Sequence, residues 1–563
     1  MDPQDAAQST PRALSGVERL KESSRRLRGD LVADLASPGS QVTEDGYNLL
    51  KFHGSYEQYD RDTATARKQI GEEKDYSFML RVRMPGGILT AAQYLALDGL
   101  ADQYGNGTLR ITTRQGIQFH GIIKGNLKPT VSAINATLLT TQAACGDVVR
   151  NVMTTPAPIR DAKHARLVAD AKLLSAQLLP ASRAYHQIFL DEPDTGETEA
   201  EPLYGATYLP RKFKIAIAAP HDNTPDIFAN DLGFLAIFEN DSLVGYNVAI
   251  GGGFGMTHNR RDTFPAVASL IGFVGPDQLL LAAETVIAFQ RDHGDRSDRK
   301  RARLKYVIAD RGLDWVRDQL ITTYRLPLQL VHAMPPIKVP ELLGWHDQGD
   351  GLLWLGIPLP SGRIEDSKTV PLRTALREIV ERFGPDPVMT PQQDVLLTNI
   401  RPLDRLTIEA LLRAYKIPLS EDLTPMSRWA LACPALPTCG LALTEAERVR
   451  APLIARFETL FASHGLAGER LSLRITGCPN GCARTYTGDI GLVGRVPGSY
   501  AIYVGGDFAG TRLSFKLHER VKEEALEATL APVVAAFASD RLPQEGFGDF
   551  CNRLGAETLM ALT

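Results

Sequence analysis

FMLRVRMPGGIL, residues 78–89, is the stretch that decides the fold, because LWLGIPLPSGRI at residues 353–364 repeats its pattern. Each stretch is an apolar strand that ends in a turn of proline and glycine. A helix-like segment and a second strand follow each copy, RITTRQGIQFHGI at residues 110–122 and VMTPQQDVLLTNI at residues 388–400. The chain is therefore predicted to contain the same unit of strand, helix and strand twice.

A second pair of similar segments follows the first pair in the same order. YNVAIGGGFG at residues 246–255 and YAIYVGGDFAG at residues 500–510 are both apolar strands that run into glycine turns. Two pairs in one order favour a duplication over chance similarity. We predict an α+β protein built from two pseudo-equivalent halves that enclose a cofactor between them.

The two copies differ in charge. Four arginines of the first copy correspond to uncharged residues in the second: Arg81, Arg83, Arg110 and Arg114 against Gly356, Pro358, Val388 and Gln392. Strand alternation predicts that one face of the segment at residues 110–122 is polar. The residues assigned to that face are Arg110, Thr112, Arg114, Gln118 and His120. So polar a face is expected to meet a ligand or water.

Composition limits the class of protein. The 563 residues are enough for three to four domains, and the net charge is -4. Such a balance does not draw a protein to nucleic acid or to an anionic membrane. The start of the chain has no leader pattern, and no stretch approaches the ~18 apolar residues of a membrane span. A cytoplasmic protein is expected.

Six cysteines are too few for a disulfide scaffold, and four of them form two pairs. ACPALPTCGLALTEAER carries Cys433 and Cys439, and RITGCPNGCAR carries Cys478 and Cys482. Two pairs on separate loops can reach the four corners of an iron-sulfur cubane. A structural zinc site and four unrelated core thiols remain alternatives at this point.

A basic strand is the other candidate site. YLPRKFKIAI places Lys212 and Lys214 two residues apart, so both point to one face of the strand. Two ammonium groups aimed together repel each other unless an anion lies between them. The alternative is a solvated basic strand edge. RSDRKRARLK at residues 296–305 holds six basic residues and one acid, which is typical of a solvated helix face or a weak nucleic-acid patch.

Taken together, the motifs resemble those of the sulfite and nitrite reductase haemoproteins. The similarity rests on KFHGSYEQYDRD, LRVRMPGG, RITTRQGIQFHG, RNVM, YLPRKFK, GGG, DRKRARLKY, both cysteine motifs and EGFGDF. It covers essentially the whole chain except the first few dozen residues, and the NADPH-dependent assimilatory sulfite reductases are the nearest group. Gly440 and Ala483 are mild departures that remove no ligand.

The resemblance implies two cofactors and their ligands. Cys433, Cys439, Cys478 and Cys482 are expected to bind a 4Fe-4S cluster, and Cys482 to be the axial ligand of a sirohaem iron as well. Arg83, Arg150, Lys212 and Lys214 match the residues that surround the substrate and are the expected catalytic residues. Candidates for binding the carboxylates of sirohaem are Arg110, Thr112, Arg114, Gln118, His120 and Asn480, and residues 296–305 are expected to flank it.

The resemblance also implies an arrangement of ferredoxin-like half-domains and α/β domains that bind the sirohaem and the cluster. The expected divisions are a polar N-terminal segment at 1–65, half-domains at 66–140 and 336–420, and α/β domains at 141–335 and 421–563. The segment ERLKESSRRLRGDLVADL is predicted to be a charged helix, and a mobile solvated tail is expected there.

The function implied is the six-electron reduction of sulfite to sulfide for cysteine biosynthesis. No flavin or nicotinamide motif is evident, so electrons must come from a partner, expected to be an NADPH-dependent flavoprotein subunit or otherwise ferredoxin. The alternatives are a sirohaem nitrite reductase, a zinc-stabilised nucleic-acid-binding protein and an enzyme of corrinoid biosynthesis.

Overall fold

The computed structural model describes residues 13–194 and 200–563. The polar stretch MDPQDAAQSTPR, where the sequence shows no leader pattern, lies outside the described residues. Within them the chain builds four β-sheets, which form two pairs of matching topology. This matching confirms the predicted duplication.

The first ferredoxin-like sheet has the strand order β1-β2-β4-β3, and β12 from the second half of the chain extends it beside β3. All of its neighbouring strands pair antiparallel. Strand β1 lies in the segment that the sequence assigns to the N-terminal region. The strands and helices of this unit are β1 (Ser55–Tyr59), α4 (Ala64–Gln69), β2 (Tyr76–Arg81), α5 (Ala91–Tyr104), β3 (Leu109–Ile111), β4 (Ile117–Ile122) and α6 (Leu127–Ala136).

The second ferredoxin-like sheet repeats this plan in the order β10-β11-β14-β13. It too is antiparallel throughout. Gly86 and Ser361 occupy equivalent places in the turns after β2 and β11, and both take a positive φ. Its strands and helices are β10 (Gly344–Asp347), β11 (Leu353–Ile357), β12 (Arg363–Ile364), α12 (Leu372–Phe383), β13 (Asp386–Met389), β14 (Val395–Ile400) and α13 (Arg405–Ala414).

The sequence predicted a single second strand in each ferredoxin-like unit. This prediction is wrong, because each of these segments forms a hairpin of two antiparallel strands. β3 and β4 are joined by a tight turn in which the Thr112 hydroxyl accepts hydrogen bonds from the backbone N–H groups of Arg114 and Gly116. Gln115 takes a positive φ of 54°, and Gln393 takes one of 74° in the equivalent turn. The turn places Arg114 at the sheet edge, not on the strand face that alternation had assigned to it.

Two five-stranded sheets form the α/β domains, and both have three parallel strands followed by two antiparallel ones. The first contains β5 (Met153–Thr154), α7 (Ala162–Gln177), α8 (Ala184–Phe189), β6 (Ile215–Ala218), β7 (Leu232–Glu239), β8 (Ser242–Ile250), β9 (Ser269–Val274), α9 (Leu279–His293), α10 (Leu304–Arg311) and α11 (Leu313–Thr322). The second contains α14 (Pro425–Trp429), β15 (Leu431–Ala432), α15 (Arg450–Ser463), β16 (Leu473–Thr476), β17 (Ile490–Val496), β18 (Ser499–Val504), β19 (Phe515–Lys522), α16 (Leu526–Asp540) and α17 (Phe547–Leu562).

The N-terminal region is helical and packed against the rest of the protein, so the expectation of a mobile solvated tail is wrong for its described part. Its helices are α1 (Gly16–Ser23), α2 (Leu31–Ala36) and α3 (Glu44–Leu50). The side chains of Glu18 and Lys21 on α1 are fully buried. Their partners come from the first α/β domain, and a charged helix can be buried only where such partners exist.

The apolar core joins three of the four units. One cluster of buried side chains runs through both ferredoxin-like sheets and the first α/β domain, and a second cluster fills the last domain. Among the described helices none combines the length and the apolar content needed to cross a membrane.

Candidate functional site

Four cysteines lie on two loops near the carboxyl ends of two neighbouring parallel strands. β15 runs into Cys433 and β16 leads to Cys478, and the two strands pair in parallel. Burial raises the pKa of the Cys433 thiol, and the thiols of Cys482, Cys439 and Cys478 raise it further. Burial and the same neighbours raise the pKa of Cys478 to about 12. The four sulfur atoms therefore lie within electrostatic reach of one another.

The donor set suits an iron-sulfur cluster. Backbone and side-chain N–H groups point at two of the sulfurs: Gly477 N donates to Cys433 Sγ over 3.3 Å and Asn480 Nδ2 to Cys478 Sγ over 3.5 Å. Such hydrogen bonds tune the potential of a bound cluster. As the chain stands, the described His, Cys, Asp and Glu side chains form no group of three or more placed to hold a metal ion.

Cys482 is the exposed member of the set, whereas Cys433 and Cys478 are buried and Cys439 is half-buried. Thr113 in the turn between β3 and β4 donates its hydroxyl to the Cys482 carbonyl over 3.1 Å. The thiol also lies within electrostatic reach of the Lys212 ammonium group. Cys482 therefore borders both the cluster of thiols and a group of basic side chains.

That group, here called the cationic pocket, consists of Arg81, Arg114, Arg150, Lys212 and Lys214. Burial lowers the pKa of Lys212 to about 7, and Arg211, Arg150 and Arg303 add repulsion. Burial, Arg114 and Lys212 lower the pKa of Lys214 well below its ordinary value. Burial and Arg150 lower the pKa of Arg114 to about 9. Such crowding of buried cations favours an anionic ligand among them.

Asp231 is the acid that lowers this repulsion, but it is shared with Arg303. Arg303 binds the Asp231 carboxylate with two hydrogen bonds, of 3.0 Å and 2.7 Å. The backbone N–H of Lys214 donates a hydrogen bond to the same carboxylate, at Asp231 Oδ2. The carboxylate thus holds Lys214 and Arg303 in place and also offsets part of the positive charge of the pocket.

Arg83 does not lie with the other three predicted catalytic residues. Its guanidinium donates to both Ser175 Oγ and Ser175 O, at 3.0 Å and 2.9 Å, and to the carbonyls of Val149 and Ala143. The group is buried, and burial lowers its pKa to about 10. These four bonds tie helix α7 to the loop before β5.

Arg81 lies in the pocket instead, although it is not among the residues expected from the sequence to surround the substrate. Its charge contributes to lowering the pKa of Arg114, and its Nη1 donates to Cys145 Sγ over 3.2 Å. Its buried Nε has no hydrogen-bond partner among the described residues. Arg150, another member of the pocket, donates from Nη2 to the Tyr56 hydroxyl over 3.4 Å. The strand end could have indicated Arg81, because it is the last residue of β2, whereas Arg83 follows the strand.

A polar row crosses the first ferredoxin-like sheet. In the strand register, Arg81 on β2 lies opposite Gln118 on β4, which lies opposite Arg110 on β3, which lies opposite Arg363 on β12. Arg110 lies 3.3 Å from Glu447 and donates to the carbonyl of Ala432, the residue before Cys433. The row therefore extends from the cationic pocket to the thiols.

His120, Thr112 and Asn480 have mainly local partners. His120 is buried, with Nδ1 3.3 Å from Gln58 Oε1, and burial with the nearby arginines lowers its pKa well below its ordinary value. Its ring is therefore neutral and its Nε2 has no hydrogen-bond partner among the described residues. Thr112 closes the turn before β4, and Asn480 contacts Cys478. Gln118 Nε2 lies 3.3 Å from Met79 Sδ.

The basic run at residues 296–305 forms buried structural contacts in addition to contributing charge. Lys305 Nζ donates to the carbonyls of Gly253 and Gly255 at 2.9 Å each, and to that of Phe264. Arg303 donates to the carbonyl of Gly252. Both side chains hold the glycine loop after β8, whose Gly255 lies near Asn480.

A second network of buried charges lies next to the cationic pocket and includes two residues of α1. Asp147 lies 2.8 Å from Arg299, 3.7 Å from Lys21 and 3.8 Å from Arg211, the residue before Lys212. Glu18 pairs with Lys21 at 2.5 Å. The Asp147 loop also carries Arg150, so this network fixes two segments that supply cations to the pocket.

The residues present fit the sirohaem that the resemblance implies. Sirohaem carries eight carboxylates, and the cationic pocket and the polar row offer basic groups on adjacent surfaces. The buried Nε atoms of Arg81 and Arg114 have no hydrogen-bond partner among the described residues, which favours a further ligand contact at each. Cys482 lies where these surfaces meet the thiols.

Comparison with family models gives two matches. The nitrite and sulphite reductase 4Fe-4S domain matches residues 169–327, and the nitrite/sulfite reductase ferredoxin-like half domain matches residues 70–137 and 346–415. The first range lies in the first α/β domain, whereas the four paired cysteines lie in the second. The half-domain model matches twice, in agreement with the two matching sheets.

Curated relatives are similar along almost the whole chain. The sulfite reductase [NADPH] hemoprotein beta-component of Myxococcus xanthus is 47% identical, over 97% of both chains. That of Xanthomonas oryzae pv. oryzae is 46% identical, over 96% of both. The sulfite reductase [ferredoxin] of Synechococcus elongatus is 43% identical, over 98% of this chain and 91% of its own.

The fold is also found among solved structures. The NirA protein of Mycobacterium tuberculosis superposes with a TM-score of 0.78 and 24% sequence identity, over 97% of both chains. At this identity the likeness supports the duplicated fold.

Proposed function

Since the chain belongs to the nitrite and sulfite reductase family, we propose that it reduces sulfite to sulfide by six electrons, with a sirohaem and a 4Fe-4S cluster as cofactors. The observation that carries the proposal is the position of Cys482. Its thiol lies within electrostatic reach of three other thiols on one side and of Lys212 on the other. A site for electron transfer and a site for an anion therefore share one residue.

In this proposal the four paired cysteines would hold the cluster, and Cys482 would also hold the sirohaem. When bound, the two cofactors supply the metal centre and the single electrons for the reduction. The chain supplies the ligands, the surrounding charge and the protons.

The cationic pocket binds the substrate and the nearest sirohaem carboxylates. Arg150, Lys212 and Lys214 were assigned to sulfite from the sequence, and Arg81 replaces Arg83 in that set because it lies among them. Arginine offers two parallel N–H groups to an oxyanion, whereas lysine offers a compact charge. Arg110, Arg114 and Gln118 are placed to bind carboxylates along the polar row.

Lys212 is the proposed proton donor to departing oxygen. Burial and neighbouring cations lower its pKa to about 7, so its ammonium group gives up a proton more readily than an ordinary lysine. An anionic substrate stabilises the protonated form before the reaction. Each oxygen leaves as water after it has taken up two protons and two electrons. Lys212 Nζ donates one of these protons at a time and is reprotonated from solvent between transfers, while the electrons come from the partner protein through the bound cofactors.

Electrons reach this chain from a partner protein. We propose an NADPH-dependent flavoprotein subunit, because the Myxococcus and Xanthomonas relatives are named as hemoprotein beta-components of an NADPH enzyme. The Synechococcus relative is named for ferredoxin, which is the alternative donor. The proposed setting is assimilatory sulfur metabolism and cysteine biosynthesis in the cytoplasm.

Sulfite is favoured over nitrite because these relatives are named as sulfite reductases. The matched 4Fe-4S family model likewise favours an iron-sulfur protein over the zinc-stabilised nucleic-acid-binding alternative.

Absorption spectroscopy with iron and acid-labile sulfide analysis tests the cofactors. Purified protein from cells that make sirohaem should show sirohaem bands and about five iron atoms per chain, one in the haem and four in the cluster. Turnover with a reduced viologen as artificial donor should give sulfide from sulfite with a higher kcat/KM than ammonia from nitrite. A colourless protein that contains zinc and no iron would contradict the proposal.

Cys482→Ser and Cys551→Ser form a matched pair of variants. Cys551 is buried in α17, outside the two cysteine motifs. We expect the first variant to lose cluster iron and activity and the second to keep both. Equal iron contents in the two variants would overturn the assignment of the cluster ligands.

A further inference from the structure

The duplication places two turns in equivalent positions, one in each α/β domain. Asp226 follows β6 by the same number of residues as Arg484 follows β16, and each precedes a short 3-10 helix before the next strand. Both residues take a left-handed backbone conformation, with φ of 53° and 59°. By this correspondence the partner of Cys482 in the first domain is Thr224.

The two equivalent residues carry opposite charges and contact each other. Arg484 Nη1 lies 2.9 Å from Asp226 Oδ2, and both side chains are buried. Arg474 Nη1 lies 3.6 Å from the same oxygen. A buried ion pair between two equivalent turns joins the two α/β domains of the chain.

Arg484 connects this pair to the loop that carries Cys482. Its backbone N–H donates to the carbonyl of Gly481 over 3.0 Å. Its Nη2 donates to the carbonyl of Pro391 in the second ferredoxin-like unit over 2.7 Å. Arg484 therefore holds the turn immediately after Cys482 through both its backbone and its side chain.

The carbonyls at Cys482 and Thr224 are held in similar ways. Thr113 donates to the carbonyl of Cys482 at 3.1 Å, and Gln392 donates to that of Thr224 at 3.0 Å. Both donors come from the hairpin turns of the ferredoxin-like units. The two loops are thus built alike, and the ion pair fixes the position of one against the other.

We propose that Asp226 and Arg484 are positioning residues that fix the Cys482 thiol relative to both the cluster and the sirohaem. The inference rests on the proposed function, because it assigns a consequence to the geometry of Cys482 in the loaded enzyme. Neither residue touches the substrate. Their effect acts through the direction in which the Cys482 turn presents its sulfur.

Asp226→Asn in the holoenzyme tests the proposal. The cluster and haem should remain bound, but the haem absorption bands and the EPR signal of the reduced cluster should change, because the coupling through Cys482 changes. We expect kcat for sulfite to fall about 10- to 100-fold, as for other supporting residues of metal sites. The KM for sulfite should change less than about twofold, since the cationic pocket is intact.

Asp98→Asn is the matched control. Asp98 is a buried carboxylate on α5 that pairs at 2.5 Å with Arg373 on α12, so it also joins the two halves of the chain, but away from the cysteines. This variant should keep the haem bands, the EPR signal and kcat of the wild type. If both variants give the same spectra, the positioning role is refuted.

Arg484→Lys decides the question if Asp226→Asn does not assemble. This variant keeps the positive charge but loses the bond to the Pro391 carbonyl. Its EPR signal should therefore change in the same way as that expected for Asp226→Asn, but by less. An unchanged EPR signal in Arg484→Lys would overturn the proposal. Failure of the wild-type protein to contain iron and sirohaem would instead refute the proposed function, so the two failures are distinguishable.

Discussion

Replacing Asp147 by asparagine tests whether the buried charges behind the cationic pocket hold it in shape. The carboxylate lies 2.8 Å from Arg299, 3.7 Å from Lys21 and 3.8 Å from Arg211. It is almost fully buried, with 3% of its surface exposed. Asparagine keeps the volume and removes the charge, so these cations lose their nearest counter-ion.

The cost can be worked from these distances. With an effective dielectric constant of about 20, a unit charge contributes about 6 kcal/mol at the shortest distance and about 4.5 kcal/mol at the longer ones. Desolvation offsets much of this attraction. Removing one partner of a buried pair typically costs about 3–5 kcal/mol, which corresponds to a fall in Tm of roughly 6–20 °C in a domain of about 150–250 residues.

Scanning calorimetry of the wild type and the variant, from pH 5 to pH 8, is the measurement. Although burial alone would raise it, Arg299, Lys21 and Arg211 hold the pKa of Asp147 well below its ordinary range. A carboxylate with a depressed pKa stabilises the fold above its unfolded pKa of about 3.9 and loses this effect as pH falls through the folded value. The difference in Tm should therefore stay constant between about pH 5 and pH 8.

Asp241→Asn is the control, because Asp241 pairs with Lys163 at 2.7 Å but its side chain is 80% exposed. That variant should lose less than about 1 kcal/mol. If Asp147→Asn is no less stable than Asp241→Asn, or if its difference from the wild type disappears at pH 8, the network does not stabilise the pocket.

Three further predictions concern single side chains. Arg81→Lys should lower kcat/KM for sulfite at least about tenfold with little change in Tm. Arg83→Lys should instead lower Tm, because several buried hydrogen bonds of Arg83 are lost. Steady-state kinetics and calorimetry on both variants distinguish the two roles. The KM for nitrite, whose charge is constant between about pH 6 and pH 9, should rise above about pH 7 as Lys212 loses its proton, and Lys212→Gln should abolish this rise. Lys305→Met should lower the urea midpoint by the equivalent of about 3 kcal/mol or more, because the carbonyls of Gly253 and Gly255 lose their donor; an unchanged midpoint would contradict that role.

The sequence predicts the duplication and the thiol cluster because both depend on local pattern. Repeated strand-and-turn segments specify the paired sheets, and the tight turn of CPNGC brings Cys478 and Cys482 into one loop. The assignment of Lys212 and Lys214 to one pocket depends on the alternation of an extended chain over three residues, immediately before β6. In each case the residues that meet in space are close in sequence or occupy equivalent places in the two copies.

The sequence fails where the partner of a residue lies far along the chain. α1 carries charges on several faces, and its burial depends on partners far along the chain, among them Asp147, Arg296 and Arg299. Arg81 and Arg83 have the same strand phase, and the end of β2 is what separates them. The hairpin turn at Gln115 likewise interrupts the alternation on which the polar face was predicted.

The two halves have diverged in a way that explains why one centre needs both. The cations of the pocket come from the first copy, at positions where the second copy has Gly356 and Gln392. The thiols come from the second copy, where the position of Cys482 corresponds to Thr224 in the first. A single copy could therefore offer an anion site or a cluster site but not their junction. The Asp226 and Arg484 pair lies at that junction, and for this reason its loss should alter the coupling of the cofactors before it alters the binding of either.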